Sequence, residues 1–366
     1  MPRRRASGLH FLGFAWPALA AASVAEVSSA WARALIDAAA PDERPEATEP
    51  AWTTPNRTVL DLQGVRLREF ASGDDTPTLI CAPYTLHDAM MVDLAPGHSV
   101  VAALLDAGLR NVCVTQWRSA TPEMCHWTID EYLSGLNVLI DYLGGHVNLI
   151  GVCQGGWLGL IYAARFPAKV RTLTLAGAPV DLDAGESAIS RIARSTPPAL
   201  FRELVALGEG RMMGYRVTQF WTFPHDDPEI IHELLAPDCA IASDEFQALS
   251  ERFQAWHAWM LDLPGAYYLQ AVEQIYRNNE VARGRFKALG MRIDLSAVRI
   301  PVFLIAAQDD QVVAPAQLFA ATRLLGTPPG SIGQATVKGG HYHLFMNSRV
   351  MAETWPAIAG WIKDAA

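Results

Sequence analysis

The chain has 366 residues, 51% of them hydrophobic and 18% charged, with a formal net charge of −9 at pH 7. That length can bury a large core, either as one domain with an insertion or as two smaller ones. Arg3-Arg4-Arg5 is the one basic block, so the balance of charge argues against nucleic acid as a partner and for a well-solvated acidic surface.

The five cysteines, Cys81, Cys113, Cys125, Cys153 and Cys239, are widely spaced and form no C-x-x-C pair. The pattern predicts free thiols in a reducing, cytoplasmic setting and no metal. Two readings of the first forty residues stand. The arginines and the Ala-rich run up to Ala25 have the form of a signal peptide. Gly8, His10, Gly13 and Pro17 break the apolar part, which favours a surface or interfacial helix from about Trp16 to Ala40. No run of ~20 uninterrupted apolar residues is present, so no membrane span is predicted.

Residues 41–56, PDERPEATEPAWTTPN, read as a linker, which makes 1–56 an N-terminal helix and tether. A folded body begins near Arg57. Apolar runs then alternate with helical patterns: TVLDL, VRLREF, TLICA, a helix over 99–107, NVCVTQW, a helix over 129–142, VNLIGV and VRTLTLAG. Such alternation predicts a mostly parallel sheet with helices on both faces, whose first part spans 57–182. Residues 183–290 are helical and aromatic without a clear strand, and read as a lid inserted after the sixth strand. The strand rhythm returns in 291–366 with PVFLIAA and ATVKGG, and a helix over about 350–363 closes the chain.

The strongest local signal is VNLIGVCQGGWLGLIYAARF. An apolar strand ends at Gly151, Cys153 follows, and Gly155-Gly156 open an Ala/Leu-rich helix. This is the form of a nucleophile elbow, the strand-turn-helix device of the α/β-hydrolase fold, with Cys at the nucleophile position. It places the sulfur at a helix N-terminus, where free amides and the dipole favour negative charge. The N–H of Gln154 would then serve an oxyanion hole, with a second donor from the Pro83–Leu86 stretch, foremost the Tyr84 N–H.

Nucleophile, acid and base follow in the chain order this fold requires. After PVFLIAA comes Gln308-Asp309-Asp310-Gln311-Val312-Val313, and after ATVKGG comes His341. Asp309 and Asp310 both remain candidates for the acid, and Asp310 fits the D-x-aliphatic-Val spacing better. His343 competes with His341 as base, but His341 directly follows Gly339-Gly340. His87, Trp117 and Trp157 are candidates for substrate contact. The aromatics at 256–259 and Tyr267-Tyr268 stand at helical spacing and read as lid core.

These residues resemble the polyhydroxyalkanoate polymerases, particularly the short kind of about this length. GVCQGG is similar to that family's lipase-like box, and MVDLAPGHSVVAALLDAG, GAPVDL and YRNNEVARGRF are similar to further segments, over roughly residues 57–365. The resemblance implies Cys153 as nucleophile, Asp310 as acid and His341 as base, with 3-hydroxyacyl coenzyme A as substrate and no cofactor. It also implies a homodimer or a partner subunit, and work at the surface of polymer granules. The acid loop departs from the family pattern, with Gln311 where a His is usual and Ala314 where a Pro is usual. DLPGAYYLQAVEQIY, WRSATPE and GHYHLF are similar instead to intracellular polyhydroxyalkanoate depolymerases. Polymerisation, ester or thioester hydrolysis, and a non-catalytic role at granules are therefore all carried forward, in that order.

Overall fold

The computed structural model describes residues 48–85, 87–217, 228–235 and 243–365. The helix expected over 16–40, its signal-peptide alternative, residues 41–47 of the expected linker, Leu86 and Cys239 lie outside the described residues.

Eight strands form one sheet: β1 (Arg57–Asp61), β2 (Val65–Ala71), β3 (Thr78–Cys81), β4 (Val112–Trp117), β5 (Val147–Val152), β6 (Val170–Ala176), β7 (Val302–Ala307) and β8 (Ile332–Val337). Their spatial order is β1-β2-β4-β3-β5-β6-β7-β8. The pairs β1/β2 and β2/β4 are antiparallel and all others are parallel. This is the α/β-hydrolase fold expected from the alternation of apolar runs. The central strands are buried from end to end, whereas β1 and β8 at the edges are partly exposed. A strand covered on both faces favours apolar residues on both, which is why TLICA, NVCVTQW and VNLIGV carry no polar alternation; the polar Thr115, Gln116 and Asn148 among them are hydrogen-bonded.

Side-chain alternation divides the interior into two layers. Leu79, Leu149, Leu173 and Leu304 face one layer, which contains α2 (Ile129–Tyr142) and α3 (Gln154–Arg165). Their chain neighbours Ile80, Ile150 and Ile305 face the other, which contains α1 (Val100–Asp106) and the closing helix Trp355–Asp364. Ser99 caps α1 by accepting from the Ala102 amide at 2.9 Å, and α2 starts at a Thr128/Glu131 capping box.

Between β6 and β7 the chain forms helices Ala188–Ser195, Pro198–Leu207, Ser243–Ala258 and Gly265–Gln270, the last running into a π-helical segment, Ala271–Arg277. The sequence showed no strand there, yet Arg211–Met212 pairs with Leu263–Pro264 and Lys287–Ala288 with Met291–Arg292. Pairings two residues long have no periodic pattern to detect.

The described end of the expected linker is tied to the body. Trp52 packs edge-on against Phe70 with ring centroids 5.3 Å apart. Buried Asp93 accepts from the Thr53 and Thr54 amides at 2.9 and 2.8 Å, from the Thr54 hydroxyl at 2.7 Å and from the Ser99 hydroxyl at 2.6 Å. Replacing Asp93 with Ala strands several of these donors at once and is expected to cost about 3 kcal/mol. Urea denaturation would read this, and a loss below about 1 kcal/mol would mean that the segment is held by other contacts.

Candidate active site

Cys153 occupies the sharp turn from β5 into α3 with φ 50° and ψ −117°, a region non-glycine residues rarely adopt. Its amide donates to the Ala176 carbonyl at 2.8 Å and its carbonyl accepts from the Gly156 amide at 2.9 Å. The turn closes because its glycines have no side chains. A Cβ on Gly155 would stand 2.1 Å from the Cys81 carbonyl oxygen, and one on Gly156 would stand 2.2 Å from the Ala178 Cβ. Gln154 is the first residue of α3, so its amide is one of those a helix start leaves without an intrahelical partner.

Asp310 lies just past β7 and His341 just past β8, at the same edge of the sheet as the turn. His341 Nδ1 donates to Asp310 Oδ2 at 2.7 Å, with the aspartate side chain 1% exposed. The other carboxylate oxygen accepts from the Val312 and Val313 amides at 2.8 Å each. Burial by itself would push His341 down, but the charges of Asp310 and Cys153 outweigh it and hold the imidazole well above its usual range. His341 Nε2 is buried and makes no hydrogen bond of good geometry, while the Cys153 sulfur is close enough to act on its charge.

The two open choices of the sequence have geometric answers. Asp309 is exposed and Asp310 takes the place beside the imidazole. His343 accepts from the Gly340 amide at 3.1 Å and braces the loop, with burial pushing its pKa down.

Cys153, Gln154 and His341 open into one cavity of about 410 Å³ between the sheet edge and the helices that follow β6. Its walls are mainly apolar, with Ile189, Ile192, Phe201 and Leu263 prominent. His87 lines it, packed against Trp256 and His257 at 4.6 Å from each ring. Tyr84 stands between two wall residues, Pro83 and Thr85, but its ring turns away into a cluster with Trp117, Tyr132 and Tyr267.

Two of the candidates for substrate contact, Trp117 and Trp157, do not line this cavity. Trp117 does not reach this cavity: its buried indole donates to the Ala82 carbonyl at 2.7 Å, and it borders a separate cavity of about 310 Å³. Trp157 lies behind the wall, fully buried in α3, and donates to the Tyr276 hydroxyl at 3.3 Å. In each case proximity along the chain was right and side-chain direction was not, because facing follows from register and helix phase. Conversely, Trp256, His257, Tyr267 and Tyr268, read from the sequence as lid core, line the cavity while also being packed. Gln311, Val312 and Tyr276 line it too, which no pattern in the sequence signalled.

Burial pushes the thiols of Cys81 and Cys113 up to about 12, so both stay protonated and inert. Among the described residues no group of three or more His, Cys, Asp or Glu is placed to hold a metal ion, and no helix is long and apolar enough to cross a membrane.

A family model for the alpha/beta hydrolase fold matches residues 108–347. The poly(3-hydroxyalkanoate) polymerase subunit PhaC of Synechocystis sp. is 30% identical over 335 residues, 85% of each chain. This chain belongs to the poly(3-hydroxyalkanoate) polymerase family. The subunit PhaC of Haloferax mediterranei is 25% identical over 85% of this chain and 64% of its own length, and that of Allochromatium vinosum 26% over 75% and 77%. Among solved structures, the monoacylglycerol lipase of Paleococcus ferrophilus has a TM-score of 0.55 at 15% identity, over 82% of this chain and 99% of the lipase. That likeness shows the fold alone. Family and fold together make the chain an enzyme of the α/β-hydrolase acyltransferase type.

Two measurements probe this geometry. Gly155→Ala drives a methyl into backbone and is expected to cost about 3 kcal/mol, seen as a lowered Tm. Asp310→Asn keeps an acceptor for the Val312 and Val313 amides but removes the charge that raises His341. A raised imidazole pKa stabilises the fold fully below about 6.5 and loses that contribution as pH rises through the folded value. The stability difference between the unaltered protein and Asp310→Asn is therefore expected to be largest near pH 6 and to shrink as pH rises through the folded value. A constant difference across that range would mean that the charge of Asp310 does not act through His341.

Proposed function

We propose that this enzyme builds polyester by passing 3-hydroxyacyl groups from a coenzyme A thioester, through Cys153, to the hydroxyl end of a growing chain. The observation that carries this reading is that the Asp310–His341 pair and the elbow cysteine meet in one mainly apolar cavity. The names of the curated relatives supply the substrate class.

His341 Nε2 takes the Cys153 proton and the thiolate attacks the thioester carbonyl carbon. The oxyanion is held by the amides of Gln154 and Tyr84. Collapse expels the coenzyme A thiolate, which leaves with the proton from His341, and the acyl group remains on Cys153 as a thioester. A 3-hydroxyl group then loses its proton to His341 and attacks the acyl carbon, which breaks the C–S bond and forms an ester. Asp310 keeps the imidazole in the tautomer that presents Nε2 and stabilises its charged form. Cysteine suits this sequence because a thioester keeps enough transfer potential to acylate an alcohol, and apolar walls hold back the water that would compete. A growing polyester is insoluble, which puts the working enzyme at a granule surface.

The test is to incubate the protein with 3-hydroxybutyryl coenzyme A, following free coenzyme A and the fate of the acyl group. Coenzyme A release with lengthening polymer, lost in Cys153→Ala, is the expected outcome. Release with free 3-hydroxy acid as the sole product would make the enzyme a hydrolase and overturn the polymerase reading. Release that survives Cys153→Ala would overturn the nucleophile.

A further inference from the structure

The cavity wall carries an unusual hydroxyl. Tyr276 lies on the π-helical segment Ala271–Arg277, whose widened turn directs Ala271, Val272 and Tyr276 at the same cavity. Such segments are frequent at functional sites. The Tyr276 oxygen accepts from the Trp157 indole N–H at 3.3 Å, and among the described residues this is its one hydrogen bond. A phenol has one proton to donate, and an indole N–H can only donate. With Trp157 occupying an oxygen lone pair, the Tyr276 proton is left to be donated, and among the described residues no acceptor takes it.

The neighbouring phenol differs. Tyr267 donates to the Tyr84 carbonyl at 3.5 Å, so its proton is engaged within the protein. Burial pushes the Tyr276 pKa up, and Cys153 adds to this, so the two groups are near enough to sense each other and Tyr276 keeps its proton at any working pH. An acyl group on Cys153 has its carbonyl oxygen at the helix start. Its next polar atom, two carbons further along the chain, is the 3-oxygen.

We propose that Tyr276 donates its hydroxyl hydrogen bond to the 3-oxygen of the acyl group on Cys153, and that Trp157, from behind the wall, positions it to do so. This rests on the acyl-transfer reading above and adds what that reading leaves open, the means of telling a 3-hydroxyacyl group from a plain acyl group. A cavity whose walls are mainly apolar favours an alkyl chain of either kind by area alone. A buried donor without a protein acceptor discriminates, because the unsubstituted acyl group leaves it unpaired. In this account Tyr276 contacts substrate, while Trp157 is a positioning residue.

The test compares acylation of the full chain by 3-hydroxybutyryl coenzyme A and by butyryl coenzyme A. Single-turnover coenzyme A release and the mass of the acylated protein are the readouts. The ratio of the two acylation rates is expected to fall about tenfold in Tyr276→Phe, the loss of one hydrogen bond. Trp157→Phe keeps an aromatic ring in α3 but deletes the donor, and is expected to lower the same ratio several-fold. The double variant is expected to do no worse than Tyr276→Phe, since both act through one bond. A purely structural role would slow both thioesters together and leave the ratio where it was, and that result would overturn the proposal. If the unaltered protein were acylated by neither thioester, the acyl-transfer reading itself would fall, and this inference with it.

Discussion

The turn at Cys153 is the constraint on which the rest of the site depends. A φ of 50° on a residue with a side chain is unfavourable, and it persists because the surroundings leave no alternative. β5 is a central, wholly buried strand, α3 packs directly against the sheet, and Gly155 and Gly156 let the helix approach Cys81 and Ala178 more closely than any side chain would allow. The sulfur is thereby lifted out of the sheet at the C-terminal ends of the parallel strands, where open α/β sheets place their ligands. β7 and β8 end at the same edge, so the loops that follow deliver Asp310 and His341 to one place from positions 157 and 188 residues further along the chain.

Electrostatics in the site follow from burial. Cys81, Cys113 and the tyrosines around the cavity are all held in their neutral forms by desolvation. Against that background the Asp310–His341 pair is an exception: two backbone amides and the imidazole satisfy the carboxylate, and the carboxylate in turn sustains charge on the ring. A fixed pair of this kind acts more strongly in a low-dielectric cavity than it would in water. The chemistry proposed for Cys153 needs that concentration of charge at one point and neutral, mainly apolar walls elsewhere.

The chain segment between β6 and β7 completes the cavity, and it was the least legible part of the fold. Its helices were visible as periodic stretches, but Tyr267, Tyr268, Trp256 and His257 looked like ordinary core residues, because a cavity wall and a core present the same apolar and aromatic faces to sequence reading. They are packed on one side and line the cavity on the other. Trp117 and Trp157 failed in the opposite sense, since one ends a strand of the same sheet and the other follows the elbow in α3, yet neither lines the cavity.

The sequence by itself determined the sheet, the elbow, and the chain order of Cys153, Asp310 and His341. Those features are local: unbroken apolar runs mark buried strands, and glycines mark a turn that admits no other residue. The tertiary structure alone decided that Asp310 rather than Asp309 meets the imidazole, that His343 braces a loop, and that Tyr276 and not Trp157 faces the cavity. Each of these depends on which way a side chain leaves the backbone once strands and helices have packed, and that direction is set by contacts between residues far apart in the chain.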